Sequence, residues 1–256
     1  MTRYHASNVE VRTPRIIRST RMLDSTAPSL CEKAYTFVSR LLMRGELAPG
    51  AKLSERALSL ACGVSRVPMR EAIRRLVEEG VLYQKSQSGT YVSALTREEL
   101  IEIYEVREAI ECRQIRAALP KMSEKDRRDF AAHADAQRRI AEAFRASGKS
   151  LLDGKEEQDF LHHDFAQHLL LLKRAGNRYA EKIISAAYRR NRFFGLHSHR
   201  RDLDHVAWTW RYHKRMADAV LANDADRAEF WMRQHIIRSL KDALRMYDAQ
   251  HAQQDQ

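Results

Sequence analysis

Apolar residues recur at helical spacing along most of the chain, and the places where that spacing breaks divide it into segments. Residues 29–44 carry Ala34, Phe37, Val38, Leu41 and Leu42 on one stripe, which predicts a helix with one buried face. Residues 45–53 (GELAPGAKL) form a Pro-Gly turn. Two short helices follow. In the first, Leu58 and Ala61 keep helical spacing behind Ser54, a residue type that caps helix starts. Gly63 ends it, because glycine tolerates the left-handed backbone of a helix terminus. In the second, capped by Ser65, the residues Met69, Ala72, Ile73, Leu76 and Val77 face inward while Arg66, Arg70 and Arg74 face out. Val81-Leu82-Tyr83 and Thr90-Tyr91-Val92 are β-rich and enclose residues 84–89, a polar hairpin with glycine near its tip.

Nothing after Val92 reads as a strand. Thr96, with Glu99 three residues on, opens a helix to Leu119, and Pro120 stops it. Ser123 opens another through Phe130, Ala134, Ile140 and Phe144 to Gly148. Further helices are predicted near residues 155–174, 178–195, 202–222 and 224–248. The expected fold is mainly α. A winged helix-turn-helix with a small β wing occupies residues 28–93, and an all-α antiparallel bundle occupies residues 96–248.

A helix-turn-helix seats the start of its second helix in the DNA major groove, where arginine bonds guanine edges and serine bonds phosphate. Arg56, Ser65, Arg66, Arg70, Arg74 and Gly89 are the expected DNA-binding residues. The charge agrees with a polyanionic partner. Of a net +11, residues 1–93 hold 15 Lys and Arg against 8 Asp and Glu. Residues 1–27 carry Arg3, Arg12, Arg15, Arg18 and Arg21 with little apolar periodicity, and read as a mobile basic arm. Cys31, Cys62 and Cys112 form no CxxC pair, which argues against a disulfide framework and for a reducing, cytoplasmic setting. No apolar run is long enough for a membrane span, and none forms a signal peptide.

Within the predicted bundle, Asp164 and His168 lie four apart on one helix face among Phe160, Phe165, Leu169, Leu171 and Leu172. His213 lies ten residues before Asn223 and His235 twelve after it. Because Ala222-Asn223-Asp224 reads as a hairpin corner, the two rings can meet at one height. Three imidazoles and a carboxylate suit zinc, or nickel, manganese or iron, with positions left for water or a carboxylate. Spacing alone does not decide this, since Asp159 and His163 repeat the same interval.

The order of residues adds a resemblance. A helix ending in RGELAPG, then LSERALSLACGVSRVPMREAIRRLVEEGVL, then SGTYV closely resembles the DNA-binding domain of the GntR family of bacterial transcription regulators, over roughly residues 28–93. YEVREAIE at residues 104–111, DFAQHLLLLKRAGN at 164–177, and the segments RYHKRMADAVLANDADRA and FWMRQHI resemble the FCD effector-binding domain of the FadR subgroup, from about residue 98 to 247. The resemblance implies that Asp164, His168, His213 and His235 bind a divalent metal ion, and that Arg107 reaches toward a bound ligand's carboxylate. Two departures stand out. Gln167 replaces an aromatic residue before the first metal histidine, implying a more polar pocket wall, and Ser88 replaces a wing arginine. His162, His163, His197, His199 and His205 match no family position and are assigned to surface or loops. The run YRRNRFFGLHSHRR, residues 188–201, either lines the pocket with one or two arginines or is a solvated helix end.

The expectation is a bacterial regulator, not an enzyme. It binds a pseudo-palindromic operator in double-stranded DNA as a homodimer, modulated by a small organic acid at the metal site. Two alternatives stay open on the residues: a metal-responsive regulator, and a metal-dependent hydrolase localised by its winged helix, although no neighbouring pattern marks a general base.

Overall fold

The computed structural model describes residues 28–193 and 201–252. The predicted basic arm lies outside the described residues, as do His197 and His199.

The first helix, α1 (Leu30–Met43), is capped by Ser29, whose hydroxyl accepts from the Glu32 amide. Helix α2 (Glu55–Cys62) is capped by Ser54 and ends at Gly63, with φ of 68°. Helix α3 (Arg66–Glu78) follows. The three pack around Ala34, Val38, Leu58, Met69, Ile73 and Leu76 in one apolar cluster. Ser65 stands at the start of α3, but its side chain makes no capping bond, so its exposed hydroxyl is left for another partner.

The wing differs from expectation in two ways. Residues 45–53 are not turn alone: β1 (Lys52–Leu53) pairs antiparallel with β3 (Gly89–Val92), which also pairs with β2 (Leu82–Lys85), giving the order β1-β3-β2. A two-residue strand is too short to show alternation, so periodicity could not reveal it. The hairpin loop is also shorter than expected, residues 86–88 rather than 84–89, with Gln87 left-handed at φ of 56°. Gly89 instead opens β3, where φ is 125° and an added Cβ would lie 3.0 Å from Lys52 Cε.

Among the described residues, everything beyond the wing is helical: α4 (Arg97–Ala118), a 3-10 turn at Leu119–Lys121, α5 (Glu124–Ser147), α6 (Gly154–Ala175), α7 (Arg178–Phe193), α8 (Leu203–Leu221) and α9 (Ala225–Ala252). Both expected capping boxes form, Thr96 with Glu99 and Ser123 with Asp126. Helix α4 packs on α9 and α6, and α5 on α6 and α8. Phe130, Ile115, Leu171, Met216 and Ile236 lie in the main core. The α8–α9 corner is made by Asn223, at φ of 55°, which also accepts a bond from Arg127 Nη2 at 2.8 Å. Asparagine is among the few residues that enter this region readily.

Candidate functional site

On α3 the expected division of faces is present. Met69, Ala72, Ile73 and Leu76 are buried, and Arg66, Val67 and Arg70 are exposed at the leading end. Arg56 on α2 is exposed as well. Arg66 makes no ion pair among the described residues, and Arg70 pairs with Glu55 at 3.4 Å. Arg74 differs: it is held by Glu71 at 2.8 Å and Glu78 at 2.6 Å on its own helix, so its charge is already answered. Val67, 73% exposed between the arginines, was not singled out by pattern, since an apolar residue on a helix reads as core.

In the helical domain, α6 brings Asp164 and His168, α8 His213 and α9 His235 to one place, where one ligand atom from each lies within 4.8 Å of the others. The three rings are buried, and the Asp164 side chain is 19% exposed. His213 Nε2 sits 3.4 Å from His235 Nε2 and 3.5 Å from Asp164 Oδ1. Burial pushes His213 down to about 4 and His235 well below the usual histidine range, so both are neutral near pH 7. Neutral imidazole is the ligating form. The buried Nε2 of His168 has no hydrogen-bond partner. Buried polar atoms are rarely left so, and a cation among the four side chains would satisfy it.

Other atoms of the same rings are fixed from behind. His168 Nδ1 bonds Glu111, and His213 Nδ1 lies 2.5 Å from Gln137 Oε1, whose amide in turn donates to the Phe160 carbonyl. Such outer partners set the tautomer that leaves Nε2 free for a ligand. Glu111 also accepts from Arg107 Nε at 2.8 Å. Burial pushes the Glu111 carboxyl up, but Arg107 and His168 outweigh it and bring it to about 2. Arg107 therefore does not simply extend toward a ligand. Its Nε is held by Glu111 and its Nη2 donates to Tyr188 at 2.6 Å, while neither bond occupies Nη1. The interval of four between Arg107 and Glu111 was the available signal for this pair.

Arg107, Asp164 and His235 line a cavity of about 40 Å³ together with Tyr104, Tyr188 and Arg201. That is room for a few water-sized groups. Of the run 188–201, Tyr188 and Arg201 thus line the cavity. Arg201 is 5% exposed and bonds Glu157 at 3.2 Å. Two expectations are corrected. Gln167 does not form the cavity wall: it is buried with its amide donating to the Phe130 carbonyl of α5 at 2.9 Å, so it secures α6 to α5. His205 is not on the surface or in a loop but on α8, lining the cavity and facing Asp242 at 3.2 Å. His162 is exposed and His163 half-buried, both on α6.

Helix α7 spans from this cavity to the winged helix. Tyr188 touches Arg107, Arg189 Nε lies 3.1 Å from Glu79 at the end of α3, and Arg190 Nη2 donates to Glu99 at the start of α4 at 2.7 Å. Glu79 also accepts from the Tyr35 hydroxyl of α1 at 2.7 Å.

Residues 30–92 match the family described as "Bacterial regulatory proteins, gntR family", and residues 102–238, more than half of the chain, match the FCD domain. The chain belongs to the GntR family and carries an FCD domain. It is similar to two regulators of Escherichia coli K12. One is the HTH-type transcriptional repressor RspR, 29% identical over 84% of this chain and 88% of that protein. The other is the HTH-type transcriptional repressor GlaR, 28% identical over 79% and 90%. Its fold is similar to that of E. coli McbR/YncC, with a TM-score of 0.69, 17% identity, and coverage of 86% of this chain and all of that one. This GntR-family protein is a DNA-binding regulator of transcription, and its family and relatives are regulators rather than enzymes. No helix among the described residues is long and apolar enough to cross a membrane.

Proposed function

We propose that this regulator binds its operator as a homodimer and that a small organic acid, bound beside a divalent metal ion in the FCD domain, changes that binding. The observation that carries the reading is the convergence of Asp164, His168, His213 and His235 beside a cavity that Asp164 and His235 line together with Arg107 and Arg201. A zinc or similar ion held by those four residues would supply open coordination positions to a carboxylate. Arg107 Nη1 and the Arg201 guanidinium would orient the acid's oxygens through charge-assisted bonds, and the cavity volume limits the acid to a few heavy atoms.

The route to DNA runs along α7. A ligand that draws on Arg107 disturbs Tyr188, and the next residue on the helix, Arg189, holds Glu79 at the end of α3. A small turn of α7 would then re-aim the recognition helix within the dimer. At the DNA, Arg66 and Arg70 would read guanine edges, Val67 would touch a thymine methyl, and Ser65 and Arg56 would hold phosphates.

The test combines metal analysis with operator binding on three proteins. His213→Ala is expected to lose the ion and the acid response while still binding the operator. Arg189→Ala is expected to keep the ion, bind acid and bind operator, yet respond weakly. A His213→Ala protein with full metal content and a normal response overturns the site, and a normal response in Arg189→Ala overturns the route.

A further inference from the structure

A second group of histidines lies outside the site above. His133 of α5 and His163 of α6 are half-buried, and their Nδ1 atoms are 2.9 Å apart. His162, next on α6, is exposed, with its ring centroid 5.4 Å from that of His163 and 6.4 Å from that of His133. Asp159, one turn earlier on the same helix, acts on His163 through its charge, and Asp129 acts likewise on His133.

The distance between the paired nitrogens matters. Two metal–imidazole bonds of about 2.0–2.1 Å, meeting at an angle between a right angle and the tetrahedral one, place their nitrogens about 2.9–3.4 Å apart. His133 and His163 already stand at that separation. A hydrogen bond also explains such a contact, provided one ring donates and the other accepts, so the pair alone is ambiguous. A third imidazole stands beside the pair. The trio's centroid spacings, 5.2, 5.4 and 6.4 Å, are close to the 4.4, 5.2 and 5.6 Å among His168, His213 and His235. Among the described residues only the Asp164 group has all its ligand atoms converged, so His162 must turn toward the pair, which its exposure allows.

We propose that His133, His162 and His163 form a second, solvent-accessible site for a borderline divalent cation of the zinc, nickel or copper class. Imidazole nitrogens suit these ions, and water completes the coordination. The site ties α5 to α6. Because α6 also carries Asp164 and His168, an ion here would brace the helix that supplies half of the buried group. The inference is independent of the proposed effector response.

The experiment uses the untagged full-length chain, stripped with chelator and titrated with Zn²⁺, with ions per chain counted by native mass spectrometry and calorimetry. The wild type is expected to take two ions, with the tighter lost in His213→Ala and the weaker lost in His163→Ala. His162→Ala, altering an exposed side chain that leaves the fold intact, is expected to weaken the second ion by at least about tenfold, since even an outer partner of a metal ligand carries that much. A single ion in the wild type that His163→Ala retains, or two ions in His163→Ala with unchanged affinities, overturns the second site. Loss of an ion in His163→Ala but not in His213→Ala would keep the surface site and remove the buried one.

Discussion

The arginines on the outer face of α3 stand in water, whereas Arg107 and Arg201 are almost wholly enclosed by the helical domain. The side chains of Arg70 and Arg74 are 69% and 61% exposed, and those of Arg107 and Arg201 are 3% and 6%. A solvated guanidinium costs the fold little, so it can be reserved for a partner and removed without harm. An enclosed one must be answered inside the protein, here by Glu111 and Glu157. On the proposed reading, recognition and folding rest on different residues in the winged helix and on the same ones in the FCD domain.

The largest effect that tests this contrast is in the enclosed pair. Glu111→Ala strands the Arg107 charge and is expected to lower stability by about 3–5 kcal/mol. Replacing both residues with apolar ones of similar size should recover most of that loss. Urea unfolding followed by tryptophan fluorescence checks it, because Trp208, Trp210 and Trp231 all lie in the helical domain. A loss under about 1 kcal/mol would place Arg107 among the dispensable surface arginines.

Next in size, Arg70→Ala is expected to weaken specific operator binding by roughly 1–3 kcal/mol with an unchanged melting temperature. Binding assays beside a thermal melt decide it, and a lowered melting temperature would break the contrast from the other side.

A pH effect follows from Asp242. Partial burial raises its carboxyl, but bonds from His205 and Arg245 outweigh that and bring it to about 2. A depressed carboxylate stabilises the folded form above its unfolded value near 4 and loses that contribution as pH falls toward 2. Trp208 Nε1 donates to Asp242 at 2.8 Å, so its fluorescence should report the loss, and Asp242→Asn should flatten it. The smallest effect is in Arg74. Its exposed pairs with Glu71 and Glu78 predict that Arg74→Ala leaves the urea unfolding midpoint essentially unchanged.

The same contrast governs what the sequence made visible. Helices with one buried stripe and a capping signal were readable to within a few residues, as at Thr96 and Ser123, because pattern and cap are local. Asp164, His168, His213 and His235 were suggested by spacing and a hairpin corner, but it took the family resemblance to single them out from pairs such as Asp159 and His163. Gln137 and the pairing of Asp242 with Trp208 were not: the partners sit on different helices, and nothing along the chain distinguishes such residues from solvated ones. Gln167 and His205 failed for the same reason, since their partners lie on α5 and α9. At the wing, Gln87 takes the left-handed position at the tip, while Gly89 beside it meets a different demand, the close approach of Lys52.

The corner at Asn223 makes the buried group depend on counting. His213 and His235 meet because ten residues on α8 and twelve on α9 return them to one level. Each helical residue adds about 100° of rotation and 1.5 Å of rise. A single codon inserted between Asn223 and His235 would therefore swing that ring out of the cavity without changing any side chain, whereas many substitutions on the outer faces of the same two helices would leave it in place. Across descendants of this gene, the length of these two arms should be held more tightly than their composition, and small insertions should collect in the loops instead.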